Sequence, residues 1–255
     1  MLDLYRAELK RSWIILKRYP LEGISTLILT LFSCVLFLTA GPWADYVDYG
    51  ENPEDAVIGY TAWTLITIIF DDIALTLSEE AMTGTLEQVF LTPHGITRLF
   101  GFRTLASLGI NLIILAIILF ILMLLTGSWL AFPPVLVLPL SAIITGAFGL
   151  AYALGSLALL FKRVRQVIIL SEILLLLIVM TPVENLGGAS RTIGFLLPFT
   201  PGLALLRSLM ANEQPFDAGL FAIALANGLV YLAVGVLLLR RAVAVARHRG
   251  LVGGY

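Results

Sequence analysis

The sequence predicts an all-α integral membrane protein with six transmembrane helices, an amphipathic interfacial helix at its N-terminus and short re-entrant helices before the last span. Three observations lead there. The 255 residues are 59% hydrophobic and only 13% charged, with a mean hydropathy of +0.98, more apolar than a soluble core and its surface require. Several nearly charge-free runs reach the roughly 20 residues that a helix needs to cross about 30 Å of hydrocarbon. The segments between those runs alternate in charge. Transmembrane barrels, built from shorter segments of alternating hydrophobicity, do not fit this pattern.

Taken in order, the first 20 residues come before the first long apolar run. Leu2, Tyr5, Leu9, Trp13, Leu16 and Pro20 fall on one narrow helical face, while Arg6, Lys10, Arg11, Lys17 and Arg18 supply positive charge, with Arg11 and Arg18 opposite that face. Such a helix suits the membrane interface. A cleavable signal is the other use of a basic segment before an apolar run, but the charged region is long for one and is expected to be retained. A plain basic anchor before a span is a simpler alternative. Apolar runs then place spans near residues 21–40, 56–77, 104–125, 135–161, 164–182 and 218–239.

Loop charge orients these spans. Fourteen of the sixteen Lys and Arg residues lie in the N-terminal segment, the 78–103 loop (Arg98, Arg103), the "FKRVRQ" turn (Lys162, Arg163, Arg165) and the C-terminal segment (Arg240, Arg241, Arg247, Arg249). These belong on the cytoplasmic side of a cell membrane. The intervening loops agree: "ADYVDYGENPED" has five acids and no base, "TGSWLAFPP" has no charge, and only Arg191 and Arg207 fall in the last outer segment. Both termini are therefore expected in the cytoplasm. The segment from Pro182 to Asp217 is too long for a turn and too apolar for a solvated loop. "IGFLLPF" and "PGLALLRSLMA" within it are each too short to span, so short helices that enter the outer leaflet and return are expected. With no internal repeat and no linker, residues 1–255 form one transmembrane domain.

A polar insert, "SEEAMTGTLEQVFLTP" from Ser78 to Pro93, interrupts this apolar chain on the cytoplasmic side between the second and third spans. Glu79 and Glu80 extend the second helix, Gly84 breaks it, Thr85 and Gln88 have the spacing of a capping box, and Pro93 ends the segment. The short helix between them gathers Leu86, Val89 and Phe90 on one side and turns Glu87 and Gln88 elsewhere, a surface suited to a groove on another protein. This stretch resembles the one that type-2 ATP-binding-cassette (ABC-2) export permeases carry at the same place, and "LPFTPGLALLR" resembles, more weakly, the family's segment before the last span. The resemblance covers nearly the whole chain in architecture and about fifteen residues in motif. It implies that Ser78 to Pro93 forms a cytoplasmic coupling helix docked on a separate ATPase, and that the N-terminal helix is the family's elbow. It also implies that the permease works as a homodimer or heterodimer with two copies of the ATPase, and that ATP and Mg are bound by that partner, none by this chain.

The remaining chemistry is sparse. There is no phosphate-binding G-x-x-x-x-G-K-[ST] loop, and no Gly is followed by Lys. His94 and His248 are solitary, the single Cys34 rules out an intrachain disulfide, and no metal-ligand spacing occurs. A net charge of −1 gives no reason to expect nucleic acid as a partner. Asp71 and Asp72 fall in the second span, where they form either the inner mouth of a substrate pathway or, more simply, a helix extension with its acids at the interface beside basic neighbours. Glu172 in the fifth span is open to the same two readings. Ala147, Ala151 and Gly155 make a small-residue ridge, expected to pack within one subunit rather than between two.

The sequence thus reads as a non-enzymatic export permease. Its few fixed charges point to an amphipathic or hydrophobic substrate. An ion-gradient-driven secondary transporter is the main alternative, although it usually needs repeats that are lacking. An intramembrane enzyme would need a catalytic constellation that is also lacking.

Overall fold

The computed structural model describes residues 8–10, 14, 17–18, 20–40, 53–83, 96–127, 129–161, 164–183 and 187–248. Every regular element among them is a helix. Helix α1 spans Pro20–Ala40. Pro53–Phe70 runs into a π-helical turn, Asp71–Leu75, and on through Thr76–Thr83; the three segments make one rod, α2. Helix α3 is Ile96–Thr126. A 3-10 turn, Pro134–Leu136, opens into α4, Val137–Leu160. Then come α5 (Arg165–Met180), the short α6 (Gly188–Gly194) and α7 (Thr200–Met210), and the long α8 (Ala218–His248).

Four helices are long and apolar enough to cross a membrane: Glu54–Met82, Ile96–Thr126, Pro134–Leu160 and Ala218–Ala246. The protein is a membrane-embedded helical bundle. Helix α3 has 31 residues, and at 1.5 Å per residue it is roughly 46 Å long. It and α8 both outrun the apolar stretches 104–125 and 218–239, because hydropathy marks the hydrocarbon crossing and not the point where a helix unwinds. Local chemistry sets the starts. Asp217 accepts the N–H groups of Gly219 (2.8 Å) and Leu220 (3.1 Å), capping the first turn of α8. Pro133 and Pro134 lead into α4, where proline forfeits only an N–H that a helix start leaves unused.

Helix α2 is the central pillar. The most apolar stretch of it is 72% buried, against 28% for α3 and 22% for α8, so the latter two present most of their apolar side chains outward. Val57, Ile66, Ile69, Phe70, Ile73 and Leu77 of α2 are fully enclosed. The hydroxyl of Tyr60 ties α2 to α1 through Ser33 Oγ (2.6 Å) and the carbonyl of Thr30 (3.0 Å).

Helix α4 has two small-residue faces. On one, the ridge of Ala147, Ala151 and Gly155 is buried, and a Cβ at Gly155 would stand 2.9 Å from Leu77 Cδ1 and 3.9 Å from Ala74 Cα. The ridge therefore packs against α2 within the chain, at the widened π-helical turn. The other face, Ala142, Gly146 and Gly149, meets Gly228 and Gly235 of α8. A Cβ at Gly149 or Gly235 would collide with the partner helix's main chain, and one at Gly228 would come 2.6 Å from the carbonyl oxygen of Ala142. Only glycine lets the two backbones approach this closely.

Between α5 and α8, the short α6 and α7 are joined by a turn at residues 195–199. The expectation of a short helix over Ile193–Phe199 is corrected here: the helix lies earlier, at Gly188–Gly194, and the later residues turn. Pro198 explains the difference, since it lacks an N–H and disfavours a helical conformation at Leu197. Phe199 takes a left-handed conformation (φ 69°) before α7 begins. A conformation of that kind costs about 1–3 kcal/mol and persists where surroundings over-determine it. Here they do. Asn227 Nδ2 donates to the carbonyls of Phe195 and Leu197 (both 3.1 Å), Tyr231 Oη to that of Leu196 (3.0 Å), and Thr200 Oγ1 to that of Gly194 (2.6 Å).

Candidate functional site

The polar residues that the sequence singled out in α2 meet partners from α3 and α5. The geometry begins with the π-helical turn. The N–H of Thr76 reaches back five residues to the carbonyl of Asp71, and the Thr76 hydroxyl lies 3.1 Å from the same oxygen. The wider turn carries one extra residue and shifts the face that follows it. Ile73, Ala74 and Leu77 point into the core, whereas Asp72 is half-buried and accepts a hydrogen bond from Ser107 Oγ of α3.

Two turns further along α2, Glu80 Oε1 lies 3.3 Å from Arg103 Nη1 of α3, with both side chains about three-quarters covered (20% and 25% exposed). Arg103 and Ser107 are four residues apart and so share a helical face. Glu80 and Asp72 are eight apart on α2 and share another. The two contacts thus brace α2 and α3 side by side just before the chain enters residues 84–95. Arg103 also stands 5.9 Å from the ring centroid of Phe100 and lies within electrostatic reach of Asp72.

On the opposite flank, Asp71 is exposed and within electrostatic reach of Arg165, Asp72 and Glu79. Glu172, two turns along α5 from Arg165, is half-buried and within reach of Asp71. The α2–α5 contact is fixed by Trp63, whose indole Nε1 donates to the main-chain carbonyl of Glu172 at 2.9 Å. Glu80 is therefore met by an arginine of α3, and Asp71 lies within electrostatic reach of another on α5. A joint of this kind can transmit a displacement, since each helix is held by directional contacts and not by packing alone.

Of the residues expected to act, Glu79, Glu80, Asp71, Asp72 and Glu172 are brought to this joint. Gly84, Thr85, Leu86, Glu87, Gln88, Val89, Phe90 and Pro93 lie outside the described residues, as do Arg6, Arg11 and Trp13. Lys10, Lys17 and Arg18 are helical and exposed. Sequence reasoning missed Ser107 and Trp63 and gave Arg103 no role beyond loop charge. A signal existed for one of them, because Ser107 lies as far after the 84–95 segment as Asp72 lies before it, the register of an antiparallel helical pair.

Arg207 was also missed as a structural residue. It is 2% exposed within α7, and its Nη2 donates to the carbonyl of Val179 at 2.7 Å. That carbonyl belongs to the last turn of α5, where intrahelical donors run out. A guanidinium therefore completes the helix end from a different element. Gly59 of α2 makes room: a Cβ there would stand 3.3 Å from Nη2.

Among the described residues, no group of three or more His, Cys, Asp or Glu side chains is arranged to hold a metal ion. No protein-family model and no curated protein matches the chain.

Proposed function

We propose that the chain is the permease subunit of an ATP-binding-cassette exporter, moving an amphipathic or hydrophobic substrate across the cytoplasmic membrane. The observation that carries this reading is the braced α2–α3 pair. The stretch that resembles an ABC-2 coupling helix begins at the end of α2, and its stem is cross-linked by the Glu80–Arg103 ion pair at 3.3 Å and the Asp72–Ser107 hydrogen bond. A push on residues 84–95 passes into α2 and α3 together and, across the Trp63–Glu172 contact, to α5. In this reading α1 and α5 join the four long helices to make six spans, with both termini cytoplasmic. Helices α6 and α7 form the outer re-entrant segment, supported by the Asn227 and Tyr231 contacts that satisfy its turn, as irregular backbone at membrane depth requires. The first 20 residues form the elbow. A second permease subunit and two ATPase subunits complete the assembly, and ATP and Mg are held by the latter.

The test is isolation of the chain from its native membrane under mild detergent, with identification of co-purified proteins and measurement of ATP hydrolysis. The wild type is expected to bring down a subunit carrying a phosphate-binding loop, with ATPase activity. Glu87→Arg is expected to lose both, because a reversed charge at a docked surface costs several kcal/mol. Gly84→Pro should retain the partner and lose coupled transport. Isolation of an intact wild-type chain that transports without any ATPase would replace this reading with an ion-gradient-driven transporter. That second reading draws its support from the gathering of Asp71, Asp72 and Glu172 around the α2–α5 contact.

A further inference from the structure

A cavity of ≈ 230 Å³ lies where α2, α3, α4 and α7 come together. Its walls include Ala62 and Leu65 of α2, Leu115 and Leu119 of α3, Leu136 at the head of α4 and Leu206 of α7. The lining side chains are apolar with one exception, Thr61, and that hydroxyl already donates to the carbonyl of Val57 at 2.7 Å. Nothing in the wall asks for a polar partner. Water needs two to four hydrogen-bonding groups to reside in a cavity, and a sugar or peptide would bring polar groups that this lining cannot satisfy.

The mouth identifies the side from which an occupant comes. Ala116 and Phe132, both in the lining, are exposed. Beside Ala116 on the same helix, Ile113, Ile117 and Phe120 are 64%, 47% and 56% exposed. Helix α3 is apolar enough to cross a membrane and largely uncovered by the rest of the chain, so the mouth opens toward bilayer hydrocarbon. An apolar cavity of about 150 Å³ is enough to hold a benzene molecule. This one is larger and open at one side, with room for several methylenes of a chain whose remainder lies in the bilayer.

We propose that this cavity is an alkyl-chain site, taking the end of a hydrocarbon tail between α2, α3, α4 and α7. The tail belongs either to a membrane phospholipid or to a single-chain amphiphile that the protein handles. The site does not depend on coupling to ATP, and it stands or falls separately from the exporter reading.

The test is photolabelling of the full chain in nanodiscs, with two probes applied separately: a phosphatidylcholine bearing a diazirine at the end of one acyl chain, and a fatty acid bearing the same group. Labelled residues are mapped by mass spectrometry. At least one probe is expected to mark the cavity wall, at Leu65, Leu115 or Leu136, as well as the outward residues Leu237 and Leu238 of α8. Labelling by the phospholipid identifies a lipid tail, and labelling by the fatty acid identifies a free amphiphile. Ala62→Phe fills the cavity from α2 and Ala116→Phe blocks its mouth. Each should lower wall labelling about tenfold, the affinity carried by roughly two buried methylenes, and leave the α8 labels unchanged. Wild-type protein labelled on α8 but not on the wall would overturn the proposal without recourse to a variant. So would wall labelling that survives in both variants.

Discussion

The hydroxyl of Ser107 donates to Asp72 across the α2–α3 boundary and also lies 3.0 Å from the Thr104 carbonyl of its own helix. It is a small group holding a carboxylate that is half-buried between the two helices. Hydrogen bonds to charged groups contribute about 1.5–3 kcal/mol, and a carboxylate left without its donor forfeits that amount. Ser107→Ala should therefore lower the thermal unfolding midpoint in detergent, and Ser107→Thr, which keeps the hydroxyl, should restore most of it. Ser171→Ala is the control. Among the described residues its hydroxyl bonds to the Val167 carbonyl of its own helix, so the loss should stay within about 0.5 kcal/mol. Equal behaviour of the two alanine variants would show that the Asp72 contact contributes nothing to stability. Arg207 belongs to the same scale, since a single guanidinium reaching Val179 at 2.7 Å closes the end of α5.

Among the elements, the α4–α8 pair is defined by main-chain proximity. A methyl at Gly149 would run into the backbone at Tyr231 and Leu232, which has no flexible end to move aside. Gly149→Ala should force the helices apart and cost about 1–3 kcal/mol or more, as overpacking does. Gly109 of α3 meets nothing within 4 Å. Gly109→Ala should be neutral or stabilising by about 0.5–1 kcal/mol, the intrinsic helix preference of alanine. Unfolding midpoints of the two variants check this, and a Gly149→Ala protein as stable as the parent would show that the seam is looser than described. At this scale the sequence was readable in part. The runs 21–40 and 164–182 anticipate α1 and α5 to within a few residues, because an apolar run bounded by charge or proline marks its own ends. The ridge of Ala147, Ala151 and Gly155 was legible as a packing face. The second face at Ala142, Gly146 and Gly149 was not singled out, because its meaning depends on Gly228 and Gly235 some 80 residues later. The π-helical turn left no signal either, since an extra residue in a helical turn changes which side chains share a face without changing composition. Of the polar joint, the acids were legible as charges out of place in an apolar span, but their partners required the antiparallel register of α2 and α3.

For the whole molecule, the proposed reading takes its orientation from the loop charges, and that orientation can be tested. Single cysteines at Asp48 and Glu213 in a Cys34→Ala background should react with an impermeant thiol reagent on intact cells, and one at Gln166 should react only after the membrane is opened. Reaction of the Gln166 site in sealed cells would invert the orientation. The bundle itself divides unevenly. Contacts of α2 with α3 and α5 run through side chains: a serine, an arginine, a tryptophan, several acids. The α4–α8 contact runs through peptide groups with almost nothing between them, and the α6–α7 turn is stitched to the same pair by Asn227, Tyr231 and the Phe199 ring, which lies 3.2 Å from the Cβ position of Gly146. Side chains can change rotamer and let one helix tilt against another; touching backbones must separate before either can turn. In the exporter reading the working stroke is then confined to one half of the bundle, with α2 swinging among α3 and α5 while α4, α8 and the turn between α6 and α7 stay still as the stator against which that stroke pushes.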